Sequence, residues 1–403
     1  MNEDVKAEKK RDLRICVISF PMPSALVVNV FLYSLVEILE PICKMVYVVT
    51  SKLPKDRTFN KKIRIQDVKT AMHSRDIIRP MWWSTVLQFF IIILIQLKMC
   101  WTLTKISKEI DIVIFYIGGA NFFPPVLMAK ALRKKVIVLA PGRGSLSYRK
   151  PRNERLLSIG SAFAAIISIL ERANFYLADQ VAVESESSIG FLGLNKYRKK
   201  ISIMSEPHIN FDLFNVRKDF NNRRNFIGYI GRLSQGKGVM NFTKAIPLIL
   251  KERNDLEFLI GGNGPLFDEI KHELKTNGSY DKVEFTGWIS HDELPDYLNE
   301  LKLIVLPTYS EGGIPAIIQE AMACGTIILV TPVAGVIEKI KDGENGFILM
   351  DNSPEGIAKK VIQILDHPEL NKVMNNARNL VENEYSYEST VKRYRSMLYR
   401  VLR

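Results

Sequence analysis

The sequence predicts an α/β protein made of two doubly wound, Rossmann-like domains. Its 403 residues are more than one hydrophobic core usually organises, so two domains of about 200 residues each are expected. Hydrophobic residues make up 47% and charged residues 25%, which excludes a fibre or a largely disordered chain. Short β-branched runs alternate with longer stretches of helical periodicity, and this alternation is typical of parallel sheets flanked by helices.

Ten short apolar runs are predicted to be the strands of the two sheets. The first five are Leu13–Phe20, Val46–Thr50, Ile112–Tyr116, Val136–Ala140 and Gln180–Val183. After a polar stretch at residues 217–224, the second five are Phe226–Ile230, Leu256–Ile260, Val283–Phe285, Leu303–Leu306 and Ile327–Val330. We therefore expect an N-terminal domain at residues 1–212 and a C-terminal domain at residues 213–385. Residues 386–403 are predicted to be a helix with an apolar stripe, which we expect to pack back on the N-terminal domain.

Charge is distributed unevenly along the chain, whose formal net charge is +13 at pH 7. Residues 1–200 hold 32 Lys and Arg against 16 Asp and Glu, a net charge of +16, whereas residues 201–403 have a net charge of −3. The basic half predicts an anionic partner: a nucleic acid, an anionic membrane surface or a phosphorylated ligand. The alternative is a basic surface that only keeps the protein soluble. The sequence lacks the interleaved aromatic and basic pattern of a nucleic-acid-binding module, so we expect no nucleic acid partner.

An apolar segment, Pro80–Leu97, has no ionisable side chain over 18 residues, and Trp82, Trp83 and Trp101 lie at its two ends. Its length is barely enough to cross a bilayer, and four uncharged polar residues interrupt it. Tryptophan rings favour the boundary between water and lipid. A helix that docks on a membrane or packs in the first domain is therefore favoured over a membrane span, which stays open as the alternative.

Cysteines and the N-terminus indicate a cytoplasmic protein. The four cysteines show no C-x-x-C spacing and have apolar neighbours, which favours buried thiols in a reducing compartment. The five histidines are scattered, so no zinc site is expected. The charged start of the chain lacks the layout of a secretory signal peptide.

The first candidate site is a glycine-rich segment, Gly228–Val239, with the sequence GYIGRLSQGKGV after a predicted strand. Gly231 lets the backbone approach a ligand closely, and the amides at a helix N-terminus favour anions. Arg232 and Lys237 add two cations that can clamp a diphosphate, the arginine through a forked contact and the lysine as a point charge. A glycine turn with solvent-facing cations is the alternative. The segment is neither a G-x-G-x-x-G fingerprint nor a Walker loop.

Two further strand ends carry glycines or polar loops. Residues 258–266, FLIGGNGPL, place Gly262 and Gly264 in a tight turn, for which a plain strand-to-helix corner is the favoured alternative. After the next strand, Trp288 lies on a loop, and Ser290 and Glu293 have the spacing of a helix capping box.

The densest group of candidate residues lies in Leu306–Leu349. Glu311, Gly312 and Gly313 follow a strand, and Glu320 lies on the next predicted helix. Carboxylates there can accept hydrogen bonds from sugar or ribose hydroxyls, while backbone amides face a diphosphate. An unpaired Glu320 carboxylate on a buried helix would be costly, so a ligand or a cation is expected beside it.

The ordered motifs G-R-L-S-Q-G-K-G, G-x-G-P, F-T-G-W, E-G followed by E-A-M-A-C-G, and D-G-E-N-G-F cover roughly residues 200–385. This set resembles the C-terminal domain of the retaining, nucleotide-sugar-dependent glycosyltransferases of family 4, the glycosyl transferases group 1, which have GT-B architecture. The resemblance implies two Rossmann-like domains that face each other across a cleft, with the acceptor on the first and the donor on the second. In the first domain, residues 140–147, APGRGSLS, resemble a variant with an arginine–glycine pair where many members have a histidine.

Site roles follow from the resemblance only. It implies that Arg232 and Lys237 hold the donor diphosphate, that Glu320 binds the ribose hydroxyls, and that the loop with Glu311 addresses the sugar. The implied catalytic set is Arg232, Lys237 and Glu311; the donor-binding set is Gly231, Gly262, Gly264, Gly312, Gly313, Ile314 and Glu320; Arg143 and Gly144 lie on the acceptor side. This chain departs from the family twice: Glu311 and Glu320 are nine positions apart instead of eight, and the loop at residues 20–28 lacks the usual paired glycines.

The activity implied is a retaining hexosyl transfer from a nucleotide-diphosphate sugar to a lipid-linked, polysaccharide or oligosaccharide acceptor. We expect a peripheral protein at the cytoplasmic face of the membrane that acts in cell surface polysaccharide synthesis, with no cofactor and no metal; the sequence has no D-x-D pair of the kind that metal-dependent glycosyltransferases use. A non-catalytic GT-B subunit that binds a nucleotide sugar or a glycan is the alternative, motivated by the shifted Glu311. An NAD-dependent oxidoreductase is disfavoured because the glycine fingerprint is absent.

Overall fold

The computed structural model of the chain divides into two compact units. The first unit comprises Met1–Val183, Leu192–Pro207 and Val391–Arg403, and the second comprises Glu184–Phe191 and His208–Thr390. The structure describes residues 12–19, 25–50, 60–68, 82–116, 122–140, 159–204, 208–309, 314–333 and 335–403.

The first unit is built on a sheet of seven parallel strands in the order β3-β2-β1-β4-β5-β6-β7. The strands are β1 (Arg14–Ser19), β2 (Met45–Thr50), β3 (Ile63–Asp67), β4 (Ile112–Tyr116), β5 (Lys135–Leu139), β6 (Gln180–Val183) and β7 (Ile201–Ile203). The helices between them are α1 (Ala25–Leu39), α2 (Trp82–Ile106), α3 (Phe123–Ala131) and α4 (Ile159–Leu177).

The second unit has a six-stranded parallel sheet in the order β10-β9-β8-β11-β12-β13. Its strands are β8 (Phe226–Ile230), β9 (Glu257–Gly261), β10 (Val283–Gly287), β11 (Leu301–Leu306), β12 (Ile327–Val330) and β13 (Phe347–Ile348). Its helices are α5 (Glu186–Phe191), α6 (Val239–Glu252), α7 (Phe267–Thr276), α8 (Leu294–Glu300), α9 (Ala316–Ala323), α10 (Val336–Lys339), α11 (Pro354–Leu365) and α12 (Leu370–Tyr385). The last helix of the chain, α13 (Tyr387–Leu402), begins in the second unit and continues in the first.

All ten predicted strands are present, with ends that differ from the prediction by at most two residues within the described part of the chain. The structure adds three strands that the sequence pattern did not reveal, β3, β7 and β13, and each lies at the edge of its sheet. An edge strand pairs with a neighbouring strand on one side only. Its residues are therefore less buried than those of a central strand, and a continuous apolar run is not needed. In β3, for example, Arg64 and Gln66 alternate with isoleucines, and most of the strand is exposed.

The core of the first unit includes the end of the chain. Val391, Tyr394 and Leu398 of α13 pack in one buried cluster with Ile15 of β1 and Val46 of β2. The three α13 residues recur at spacings of three and four, so they share one face of the helix. This apolar face completes a core whose other members come from the first 204 residues.

Helix α2 covers most of the apolar segment that resembled a membrane span. It buries Ile95, Met99 and Leu103 and exposes Leu94 and Leu97. Across the described residues, no helix combines the length and the apolarity needed to cross a membrane. The four cysteines are all buried and free, as the apolar neighbours in the sequence indicated.

Candidate active site

The candidate site lies at the carboxyl edge of the second sheet, where the strand order reverses direction between β8 and β11. Loops that leave neighbouring strands in opposite directions open a crevice there, and in open α/β sheets this is the usual ligand position. The loops are joined through backbone hydrogen bonds: Gly231 N donates to Gly261 O at 3.0 Å, Leu233 N to Asn263 O at 3.0 Å, and Tyr309 N to Gly236 O at 3.0 Å. The ends of β8, β9 and β11 therefore form one connected surface.

Glycines allow these loops to touch. Gly262 has φ +115°, and a Cβ added there would lie 2.0 Å from Gly231 O. At Gly264 an added Cβ would lie 2.2 Å from Leu233 O, and at Gly238, with φ +70°, it would lie 1.9 Å from Pro307 O. Any larger residue would separate the loops, because real Cβ atoms do not approach an oxygen so closely. The predicted tight turn at Gly262 and Gly264 is thus a point where loops pack together; whether these glycines also contact a donor stays a prediction.

Two cations lie on the loop after β8. Arg232 is exposed and Lys237 is half-buried in a single helical turn, Gln235–Lys237, before α6. Burial lowers the pKa of Lys237, and the positive charge of Arg232 lowers it further. Two like charges held this close favour a bound anion, because an anion relieves their repulsion. Arg232, Lys237 and Gly231 thus lie on one loop, and their role as a diphosphate clamp stays a prediction.

Glu320 lies on the inner part of α9, and its carboxylate has a histidine beside it. His291 Nε2 lies 3.4 Å from Glu320 Oε1, and the side chain of Glu320 is only 14% exposed. The His291 ring is held by an edge contact with Phe214, with ring centroids 5.0 Å apart. A partner for Glu320 was expected from its burial, but the sequence did not indicate which residue it would be. His291 follows a strand end at the same carboxyl edge, and that position is the signal that could have identified it.

A polar cluster that the sequence did not reveal fixes the loop after β11. Asn241 Nδ2 donates to the Tyr309 hydroxyl at 2.8 Å and to Asn352 O at 2.5 Å, while Asn352 Nδ2 donates to Pro307 O at 2.7 Å. The Thr308 hydroxyl donates to Gly236 O at 3.1 Å. The loop after β11 is thereby bound to the loop that carries Lys237. Tyr309 remains 57% exposed at this edge.

The loop after β10 contains the predicted capping box. Ser290 N donates to Glu293 Oε2 at 3.3 Å, and Glu293 N donates to Ser290 Oγ at 3.3 Å, which confirms the reciprocal pattern at the start of α8. The hydroxyl and amide of Ser290 lower the pKa of the Glu293 carboxyl. Trp288 on this loop is 57% exposed, so its ring is available to a ligand or a partner.

Several predicted site residues cannot be placed. Glu311, Gly312 and Gly313, and on the acceptor side Arg143 and Gly144, lie outside the described residues. Ile314 is described, and its partly buried side chain packs against the core of the second unit. In the ranges that the structure describes, no group of three or more His, Cys, Asp or Glu side chains could hold a metal ion.

One protein-family model matches a large part of the second half of the chain. Residues 211–380 match the family model described as glycosyl transferases group 1. Alpha-D-kanosaminyltransferase of Streptomyces kanamyceticus is 32% identical over 165 residues, which are 40% of this chain and 42% of that protein. The chain spans about half the length of the curated relatives it matches.

Solved structures extend the likeness to almost the whole chain. Sucrose-phosphate synthase from Thermosynechococcus elongatus has a TM-score of 0.72 at 19% identity, over 97% of this chain and 99% of that one. HepE of Anabaena in complex with UDP and glucose has a TM-score of 0.69 at 14% identity, over 96% of this chain and 99% of that one. The predicted fold class is confirmed: two Rossmann-like units of the kind found in GT-B glycosyltransferases.

Proposed function

Because residues 211–380 match the family model of the glycosyl transferases group 1, we propose that this protein transfers a hexose from a nucleotide-diphosphate sugar to an acceptor hydroxyl with retention of configuration. The observation that carries the proposal is the pair of cations, Arg232 and Lys237, at the switch point of the second sheet. The relative from Streptomyces kanamyceticus is named as a transferase of a sugar, and the HepE structure holds UDP and glucose, which supports a nucleotide-sugar donor.

In the proposed reaction, the bond between the anomeric carbon and the diphosphate oxygen breaks while a bond to the acceptor oxygen forms on the same face of the sugar. The hydroxyl proton passes to a diphosphate oxygen. Negative charge develops on the leaving diphosphate, and Arg232 and Lys237 stabilise it through preorganised electrostatics. These two side chains supply the charge that a divalent ion supplies in other transferases, so we propose a reaction without metal or cofactor.

We propose further donor contacts for the neighbouring residues. Glu320 would accept hydrogen bonds from the ribose hydroxyls, and Glu311 with the backbone of Gly312, Gly313 and Ile314 would address the hexose. Gly231, Gly262 and Gly264 would allow the donor to approach the backbone. A buried carboxylate such as Glu320 suits a diol, because two hydroxyls can donate to its two oxygens.

The acceptor is proposed to be a lipid-linked glycan, a polysaccharide or an oligosaccharide at the cytoplasmic face of the membrane, in cell surface polysaccharide synthesis. The net charge of +16 over residues 1–200 supports a location at an anionic membrane surface. Arg143 and Gly144 would lie on the acceptor side.

A thermal-shift screen with a panel of nucleotide sugars tests donor binding, because a ligand that binds only the folded protein raises its Tm. The sugar that shifts Tm is then supplied with a membrane lipid extract, and the released nucleotide and the anomeric configuration of the product are measured. Glu320→Ala should remove both the Tm shift and the transfer while the far-UV circular dichroism stays unchanged. Full transfer by Glu320→Ala would refute the assignment.

A non-catalytic subunit that binds a nucleotide sugar or glycan is the second candidate function. The spacing of nine positions between Glu311 and Glu320, in place of the family's eight, favours it. In that case, the protein would show a Tm shift with a nucleotide sugar yet release no nucleotide with or without lipid extract.

A further inference from the structure

Three neighbouring helices of the first unit expose apolar side chains to solvent. On α2, Leu94, Leu97 and Trp101 are 58%, 56% and 62% exposed. On α4, Ile166, Ile169 and Tyr176 are 54%, 65% and 72% exposed. In both helices these residues recur at spacings of three, four or seven, so each set forms one stripe. Stripes of large exposed apolar side chains on a folded domain mark a contact surface.

The two stripes belong to one layer of the fold. Helix α3 packs against both α2 and α4, and α3 and α4 also pack against β5. The three helices therefore cover the same face of the sheet, with α3 in the middle. Leu127 of α3 is 48% exposed and lies between the two stripes. We call the surface made by Leu94, Leu97, Trp101, Leu127, Ile166, Ile169 and Tyr176 the outer apolar face.

The helices that form the outer apolar face also carry positively charged side chains. The three helices contain Lys98, Lys105, Lys130 and Arg172, and their single acidic residue, Glu171, is fully buried. Lys105 Nζ lies 3.4 Å from the centroid of the Trp101 ring. On the α4 stripe, Lys200 Nζ lies 5.5 Å from the centroid of the Tyr176 ring. An aromatic ring with a cation beside it is the arrangement that sits at the headgroup level of a membrane.

We propose that the outer apolar face binds the surface of an anionic lipid bilayer. Its leucines and isoleucines would enter the boundary between headgroups and acyl chains, and Lys105 and Arg172 would contact lipid phosphates, whereas Lys130 is paired with Asp179 at 2.9 Å. A protein partner of mixed charge is the poorer fit, since exposed carboxylates that could pair with such a partner's cations are lacking among the residues of these three helices. This inference rests on the proposed function, because binding to the membrane would bring the enzyme to a lipid-linked acceptor.

The test is co-sedimentation of the full chain with vesicles of phosphatidylcholine alone or of phosphatidylcholine with phosphatidylglycerol. We expect binding to the anionic vesicles. Leu97→Glu and Ile169→Glu should each weaken it about tenfold or more, because a carboxylate replaces an exposed apolar group that would enter the bilayer and repels the anionic lipid. Met350→Glu is the matched control, since Met350 is 82% exposed in the second unit, and it should bind as the unchanged chain does. Arg172→Ala should weaken binding about fivefold, because Arg172 is exposed on α4.

Three results would overturn the proposal. The first is that the unchanged chain stays in the supernatant with anionic vesicles, and the second is that the face variants sediment as well as Met350→Glu does. Light scattering could also show a dimer that Leu97→Glu converts to a monomer while vesicle binding persists, which would make the face a contact between two copies. The Tm shift with nucleotide sugars is measured on the same samples; its absence with intact vesicle binding would refute the proposed function and leave the membrane face standing.

Discussion

The two units share the order of their central strands, but they differ in where exposed apolar side chains lie and in the net charge of the sequence that forms them. In the first unit, most of the exposed large apolar side chains lie on the three helices α2, α3 and α4. In the second unit, Val216, Trp288, Tyr309 and Met350 lie on loops, and Phe191, Ile337 and Tyr387 lie on three separate helices. The first half of the chain has a net charge of +16 and the second −3. Our proposals follow this difference: they place a contact surface on the helix layer of the first unit and a donor site at the strand-end loops of the second.

The match to the family follows the same division. Residues 211–380 carry it, and the loops that hold Arg232 and Lys237 lie within that range. Variants that change one unit and leave the other unchanged test directly whether the two units have the separate roles that we propose.

Lys237→Ala should have the largest effect. Loss of a cation that stabilises the leaving diphosphate should lower kcat about 100- to 1,000-fold. Vesicle binding, which we assign to the first unit, should remain unchanged, and so should Tm without ligand. If Lys237→Ala lost vesicle binding together with transfer, the assignment of donor binding to the second unit and vesicle binding to the first would be contradicted.

Gly238→Ala should destabilise the second unit by about 2–4 kcal/mol, because the new Cβ would collide with Pro307 O and the residue must keep φ +70°. Gly236→Ala is the matched control two residues away, where an added Cβ meets nothing within 4 Å. The unfolding free energies of both variants are measured by urea unfolding, which is monitored by tryptophan fluorescence with Trp288 as the reporter in the second unit. Equal midpoints for the two variants would contradict the loop packing described above.

His291→Ala should raise the donor KM about fivefold and change kcat little, because His291 Nε2 lies beside the Glu320 carboxylate and we assign it the role of positioning that carboxylate. His291→Gln, which keeps a donor at a similar reach, should restore most of the affinity. Steady-state kinetics with a varied nucleotide sugar separate KM from kcat. A lower kcat at unchanged KM would give His291 a different role.

The pH dependence of donor binding should report on the two cations. The free protein's Lys237 has a lowered pKa, so donor binding is complete below that pKa and weakens as pH rises through it. Burial accounts for most of the lowering and the charge of Arg232 for part of it. Arg232→Gln should therefore move the alkaline loss of binding to higher pH, while it weakens binding at every pH. A titration of the Tm shift against pH for both proteins provides the measurement.

Asp111→Asn should have the smallest effect, about 1 kcal/mol on the first unit. Asp111 at the start of β4 accepts from Arg14 Nε at 3.1 Å and Nη2 at 2.7 Å at the start of β1. Burial raises the pKa of Asp111, but the hydrogen bonds and charge of Arg14 outweigh it, so the pKa lies below 3.8. The stabilisation is therefore present at neutral pH and is lost as pH falls through that pKa.

Lys44→Ala is the control for this variant. The Lys44–Asp12 pair is 59% and 71% exposed, so its loss should cost under about 0.5 kcal/mol. Urea midpoints at neutral pH and at pH 3 compare the two. A deficit of Asp111→Asn that persists at low pH would mean that packing, and not the ion pair, carries the effect.

The pattern of apolar residues in the sequence was sufficient to predict the strands that are buried on both faces. A strand covered on both faces requires a run such as Ile112–Tyr116, and such runs are visible without any knowledge of the fold. The edge strands β3, β7 and β13 were missed because they are short or alternate apolar with polar residues, whereas the edge strand β10 was predicted. In the site, Arg232 and Lys237 were found because they lie on one loop. His291 and Glu320 are 29 positions apart, and only the folding of α9 against the loop after β10 brings them together.

The position of α13 sets an order for folding during synthesis. The core of the first unit requires Val391, Tyr394 and Leu398, which the ribosome adds only after the whole of the second unit has been made. Synthesis proceeds from the N-terminus, so the first unit must wait for its final helix with Ile15 and Val46 incompletely covered. We expect the second unit, although later in the sequence, to be the first to reach its complete core on the ribosome.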